Sequence, residues 1–238
     1  MTMRTAIIKT MRFFHINRLA AKAYYGYFHG FSAANNSVLT GLDKCFAKVE
    51  EFDRPVADYL EFCLFKGYSF WYAQNKAKQM GLESMRFFGF DSFSGLPEPS
   101  EIDRTDVFYE GQYSCGKEDV VRNLDSKGVD WDRTHLIEGF FDVSLVPDLK
   151  VKYGMKSVSI ALIDCDLYDS TRDVLVFLED LIDENTILMF DDWNSFGGDE
   201  SRGQRRAARE FLERVSAWRF EDFVSYGDYG QVFIVKRR

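Results

Sequence analysis

Apolar and polar positions fall in blocks along most of this chain, a short apolar run followed by a longer amphipathic stretch. The clearest run is Val158-Ser159-Ile160-Ala161-Leu162-Ile163. It is rich in β-branched residues and free of turn residues, which predicts a strand covered on both faces. Similar runs predict strands over Val56 to Cys63, Met85 to Phe90, Thr134 to Glu138 and Thr186 to Phe190. Helical spacing lies between them, over Gly67 to Gly81, Glu118 to Lys127, Asp142 to Lys152 with an interruption at Pro147, Ser170 to Ile182, and Gln204 to Ser216. Phe220 to Tyr226 and Gln231 to Val235 flank Gly227-Asp228-Tyr229-Gly230 and predict a closing hairpin. Strands and helices in alternation predict an α/β fold, a mostly parallel sheet with one antiparallel edge strand.

Ahead of this domain, residues 1–54 read as a helical extension and residues 55–238 as the main domain. Ile7, Ile8, Met11, Phe14, Ile16 and Leu19 recur at roughly helical spacing, and Tyr24-Tyr25-Gly26-Tyr27-Phe28 follows as an aromatic, glycine-broken tail. A second helix is predicted over Leu42 to Phe52, ended by Pro55. No acidic residue precedes Asp43, whereas Arg4, Lys9, Arg12, Arg18 and Lys22 are basic. Such an extension suits a lid or a contact between subunits, so a homo-oligomer is expected. The formal net charge of −8 gives no support to a nucleic-acid partner. No apolar run reaches the ~18–20 residues of a membrane span, and the N-terminus lacks the apolar core of a secretory signal, although its basic character is shared with transit peptides. Cys45, Cys63, Cys115 and Cys165 are scattered, which predicts reduced thiols and a cytoplasmic setting. His15, His29 and His135 form no ligand or triad spacing.

The chemistry gathers at two strand ends. The Val158 strand runs into Asp164-Cys165-Asp166, and the Thr186 strand into Asp191-Asp192. Ligands of open α/β sheets bind at the carboxyl ends of strands. If these strands are neighbours, four carboxylates share one small volume and cannot all ionise without a cation between them. Oxygen-only ligands favour a hard divalent ion such as Mg²⁺. Helix capping is the competing explanation for single aspartates, but it needs one short polar residue per helix. Asp91, ending the second strand, is placed to accept hydrogen bonds from a nucleoside ribose, with a loop-capping role backed by Ser92 as the alternative. After the first strand, Gly67 and Ser69 suit a turn that meets a ligand, whereas Cys63 stands where a glycine would be more comfortable. The long stretch from Phe93 to Gly116 is rich in aromatics and is expected to form an ordered lid or substrate wall.

Four segments now appear in order: Phe88-Gly89-Phe90-Asp91-Ser92-Phe93-Ser94-Gly95-Leu96-Pro97, Gly139-Phe140-Phe141, Ile163-Asp164-Cys165-Asp166-Leu167-Tyr168-Asp169-Ser170-Thr171, and Phe190-Asp191-Asp192. Over residues 56–215 the chain resembles the macrocin O-methyltransferase (TylF) family of S-adenosylmethionine- and Mg²⁺-dependent sugar O-methyltransferases. The resemblance implies a class I methyltransferase (Rossmann-like) fold, a seven-stranded sheet whose last strand is antiparallel. It also implies that Glu61, Gly67 and Ser69 surround the methionine end of the cofactor, that Asp91 with Ser92 holds the ribose, and that Gly139 and Phe140 lie near the adenine. Asp164, Asp191 and Asp192 would ligate the metal, Asp164 also bordering the cofactor, and Asp166 would act as general base. The expected acceptor is a hydroxyl of a sugar, polyol or natural product. Two alternatives stand beside this reading. One is a glycosyltransferase gripping metal and nucleotide-sugar through Asp164-x-Asp166; the other, motivated by Cys63, is a non-catalytic protein that retains the fold.

Overall fold

The computed structural model describes residues 31, 36–105 and 107–238. The predicted helix and aromatic tail within residues 1–30 lie outside the described residues. Seven strands form one sheet: β1 (Asp58–Phe62), β2 (Phe87–Asp91), β3 (Thr134–Glu138), β4 (Val158–Ile163), β5 (Ile187–Phe190), β6 (Trp218–Tyr226) and β7 (Gly230–Arg237). Their order across the sheet is β3-β2-β1-β4-β5-β7-β6. Strands β1 to β5 pair in parallel, and β7 is antiparallel to both β5 and β6. The antiparallel strand is therefore interior, not at the edge as the hairpin pattern predicts. β7 folds back between β5 and β6 because six of its eight residues are buried and need cover on both sides. β6, with exposed positions along its length, takes the edge.

The helices are α1 (Asn36–Glu51), α2 (Tyr68–Gln79), α3 (Lys117–Asp125), the short α4 (Phe141–Ser144), α5 (Pro147–Tyr153), α6 (Tyr168–Leu178) and α7 (Gly203–Arg214). Pro147 divides the predicted Asp142–Lys152 helix into α4 and α5, since proline is tolerated only in a helix's first turn. Strand side chains alternate between two cores. Leu60, Phe62, Phe90 and Ile163 pack with α6 and α7, while Tyr59, Phe87, Ile160 and Leu162 pack with α1, α2 and α3. The continuous apolar runs are explained by this double cover, each fully buried large side chain contributing roughly 1.5–3 kcal/mol. α1, which comes before Pro55, presents Val38, Leu42, Cys45, Phe46 and Val49 to the second core. No helix among the described residues is long and apolar enough to cross a membrane.

The long connection after β2 is ordered by its own contacts. Leu96 N–H donates to the Gln112 carbonyl at 2.9 Å and Gly111 N–H to the Leu96 carbonyl at 2.9 Å. Leu96 and Phe108 pack with Leu167 in a third small core. Asp103, only 1% exposed, ties the connection down. One of its carboxylate oxygens accepts from the N–H of Tyr168, the first residue of α6, and the other from the N–H of Gly203, the first residue of α7, at 2.9 Å. Arg202 adds donations to the carbonyls of Ile102 (2.9 Å) and Arg104 (3.1 Å).

Candidate active site

The parallel strands end together, and the loops after β1, β2, β3, β4 and β5 surround a cavity of ≈ 790 Å³. Asp164 and Asp191 lie at the ends of adjacent strands because β4 and β5 pair through Ile163 and Phe190. Asp164, Asp191 and Asp192 each offer a carboxylate oxygen, and these atoms lie within 4.8 Å of one another. Three buried polar contacts hold the two strand ends in step. Asp191 N–H donates to the Ile163 carbonyl at 3.2 Å. The Gln204 side chain, on α7 and 1% exposed, accepts from Asp192 N–H at 3.0 Å and donates to the Ile163 carbonyl at 2.8 Å. Gln204 carries no sequence signal beyond its place at the start of a helix.

The donor set fits a divalent cation. Asp192 uses one oxygen to accept from Ser195 Oγ at 2.6 Å, and its other oxygen, Oδ2, is buried with no hydrogen-bond partner. An unpartnered carboxylate oxygen in such a place is costly unless a cation or proton meets it. Burial is the largest cause raising all four carboxyl pKa values. Asp164 is raised further by Asp191, Asp192 and Asp166, and Asp166 by Asp192 and Asp191. Asp191 is raised by burial. Asp192 is pushed to about 7, with Asp191 the second cause. The capping alternative does not describe these residues: the position before α6 is Leu167, which has no capping side chain, and the first N–H of the helix is met by Asp103.

Asp166 is 8% exposed, borders the cavity and has φ of 57°, a conformation costly for a non-glycine residue. The Leu167 N–H reaches back to the Cys165 carbonyl at 2.5 Å and closes a tight turn around it. α6 supplies another wall through Asp169, Ser170, Arg172 and Asp173.

The other residues named from sequence divide into two groups. Asp91, Ser92, Gly139 and Phe140 border the cavity with Asp164. Asp91 also carries the loop-capping role: Oδ2 accepts from Leu64 N–H (2.6 Å) and Phe65 N–H (3.2 Å), and Oδ1 from Phe93 N–H (2.6 Å). Ser92 Oγ donates to the Gly95 carbonyl at 2.8 Å. Glu61, Gly67 and Ser69, by contrast, are not part of the cavity wall. Glu61 is fully buried within β1, where Tyr59 OH donates to it at 2.5 Å and Ser69 Oγ at 2.6 Å. Burial pushes its pKa to about 7. Gly67 has φ of 82°, and a Cβ there would point at Leu124 and Val120 on α3, not at the cavity. Cys63 does reach the wall, in a left-handed conformation (φ 70°) that glycine adopts without strain.

The strand order and the inserted antiparallel β7, with a carboxylate-lined cleft at the strand ends, define a class I, Rossmann-like methyltransferase fold. The fold is similar to that of the O-methyltransferase NovP, with a TM-score of 0.72 and 18% identity over 88% of this chain and 83% of that one. It is also similar to CalS11, a calicheamicin methyltransferase, with a TM-score of 0.65 and 21% identity over 82% and 77%. A third likeness is to TomG from Streptomyces achromogenes, an O-methyltransferase of tomaymycin synthesis solved with S-adenosylmethionine, with a TM-score of 0.50 and 14% identity over 92% and 88%. Residues 26–215 match the macrocin-O-methyltransferase (TylF) family model, and the chain belongs to that family. No curated protein matches it in sequence. Family membership assigns methyl transfer, not the glycosyl transfer also read from Asp164-x-Asp166, and makes the chain a methyltransferase enzyme.

Proposed function

We propose that this methyltransferase moves the methyl group of S-adenosylmethionine to a hydroxyl of a sugar, or of another polyol or natural product, with the help of a divalent cation such as Mg²⁺. The observation that carries the metal dependence is the Asp164, Asp191 and Asp192 triad with the partnerless Asp192 Oδ2. A bound cation would lower the pKa of the acceptor hydroxyl and fix it for transfer. Asp166, bordering the same cavity two positions beyond Asp164, takes the proton from that hydroxyl as general base. Its raised pKa, due first to burial and then to Asp192 and Asp191, brings the carboxylate nearer the affinity a working base needs. Asp91 faces the cofactor's ribose, and its remaining lone pairs are available beside the three backbone donors it already serves. Gly139 and Phe140 line the adenine end, the former leaving room where a side chain would strike Ser144. The four free cysteines support a reducing, cytoplasmic setting.

Calorimetric titration of S-adenosylhomocysteine, with and without Mg²⁺, tests the cofactor. Micromolar binding is expected, and no heat in either condition would refute it. Asp166→Asn tests the base: turnover should fall by about 10²–10⁴-fold with S-adenosylhomocysteine binding kept, and a near-normal rate would remove Asp166 from that role.

A further inference from the structure

Of the three buried side-chain polar atoms without a hydrogen-bond partner among the described residues, Asp192 Oδ2 belongs to the carboxylate triad and Ser100 Oγ to a residue bordering the cavity, which leaves the hydroxyl of Tyr226. Tyr226 ends β6, two strands away from Asp191. In the pairing of β6 with β7 it lies opposite Gly230, and in the pairing of β7 with β5 the next position along, after Gln231 and Phe190, brings Gly230 level with Asp191. Two strand spacings amount to roughly 9–10 Å, a gap that a tyrosine can bridge only by lying across the strand between.

The intervening strand is built to let it through. A Cβ on Gly230 would lie 2.3 Å from Cζ of the Tyr226 ring, 2.4 Å from Cε2 and 2.6 Å from Cε1. Any side chain at that point of β7 would force the Tyr226 ring to move. The base of the ring is covered by α1 at Gly41, where a Cβ would come within 3.1 Å of Tyr226 Cγ and 2.7 Å of the Met189 methyl. Two glycines on separate elements thus clamp one ring, which is 5% exposed. Burial first, and then the nearby charges of Asp191 and Asp164, raise the pKa of the phenol and keep it protonated. The hydroxyl is buried without a hydrogen-bond partner among the described residues.

The structure assigns Tyr226 as the positioning residue for Asp191: its hydroxyl, delivered through the Gly41–Gly230 clamp, steadies the carboxylate that with Asp164 and Asp192 would hold the divalent cation. This rests on the metal reading given above. Groups that orient metal ligands from behind are worth a factor of 10–100 in metal affinity. Tyr226 is also well suited to that duty, because a phenol can donate to a carboxylate but brings no charge of its own.

The test is Mn²⁺ binding followed by electron paramagnetic resonance, on wild type, Tyr226→Phe and Asp191→Ala, with the melting temperature of each metal-free protein measured alongside. Tyr226→Phe keeps the ring and its packing. The expected result is Mn²⁺ binding weakened by about 10–100-fold, a metal-free melting temperature close to wild type, and restoration of methyl transfer by excess Mn²⁺. Equal Mn²⁺ affinity in wild type and Tyr226→Phe would overturn the assignment while leaving the metal reading intact. Weakened binding that merely follows a large fall in metal-free stability would reduce Tyr226 to a packing residue and overturn it too. Absence of Mn²⁺ binding in wild type, indistinguishable from Asp191→Ala, would overturn the metal reading itself, and the assignment with it.

Discussion

Replacing Asp103 by asparagine isolates one anchor of the active-site wall. Both carboxylate oxygens of this buried residue accept backbone N–H groups, one at the first residue of α6 and one at the first residue of α7. Asparagine preserves shape but has a single acceptor oxygen, so its amide faces one N–H donor to donor. One buried N–H left without a partner costs about 1–3 kcal/mol. Loss of the negative charge at two helix N-termini costs a further ~0.3–1 kcal/mol each. Together these give about 2–5 kcal/mol, which for a domain of this size lowers the melting temperature by at least about 4 °C. The consequence extends beyond stability, because α6 carries Asp169, Ser170, Arg172 and Asp173 on the cavity wall and Leu96 packs on Leu167. Thermal denaturation and steady-state kinetics on Asp103→Asn should therefore give a lower melting temperature and a raised KM for the acceptor, while S-adenosylhomocysteine affinity changes less. A shift below about 2 °C with both constants unchanged would refute the two-helix anchor.

Two further predictions concern charge and backbone strain. With folded-state pKa values raised above the ordinary 3.8, and Asp192 at about 7, the metal-free protein binds more protons than its unfolded chain across the range between those values. Its stability should fall as pH rises from 5 to 7. Saturating Mg²⁺ should flatten this dependence, since ligands bind the ion only when deprotonated. Melting curves from pH 5 to 8, compared with Asp192→Asn, measure both effects, and identical profiles with and without Mg²⁺ would contradict them. Cys63→Gly relieves a positive φ worth roughly 1 kcal/mol, which about offsets the extra unfolded-state entropy of glycine at ~0.4–1 kcal/mol. The melting temperature should move little while S-adenosylhomocysteine binds several-fold tighter by calorimetry; weaker binding would mean that the thiol itself contacts the cofactor.

What the sequence reveals depends on how locally each feature is encoded. β1, β2, β4 and β5 are legible because strands buried on both faces leave largely apolar runs, and the Asp164 and Asp191 clusters are legible because they follow such runs directly. The insertion of β7 is not local: hairpin signals fix which strands pair, not which side the pair presents to β5. The partners of Glu61 are likewise not local signals: it is fully buried, with the hydroxyls of Tyr59 and Ser69 donating to it. Asp103 and Gln204 each bond a partner far along the chain, from a loop and a helix start, Tyr226 lies level with Gly230 on an outer strand, and no motif distinguishes them from ordinary polar residues.

The reversed insertion of β7 also dictates an order of events during synthesis. β5 leaves the ribosome before its outer neighbour exists, and β6, made next, does not pair with it. Until residues 230–237 emerge, the backbone of Ile187–Phe190 is an open sheet edge, a template for pairing with another chain. Asp191 also remains without the level strand across which Tyr226 reaches it. The carboxylate centre is therefore among the late structures to mature. A nascent chain stalled between β6 and β7 would expose its most aggregation-prone edge beside an unfinished binding site.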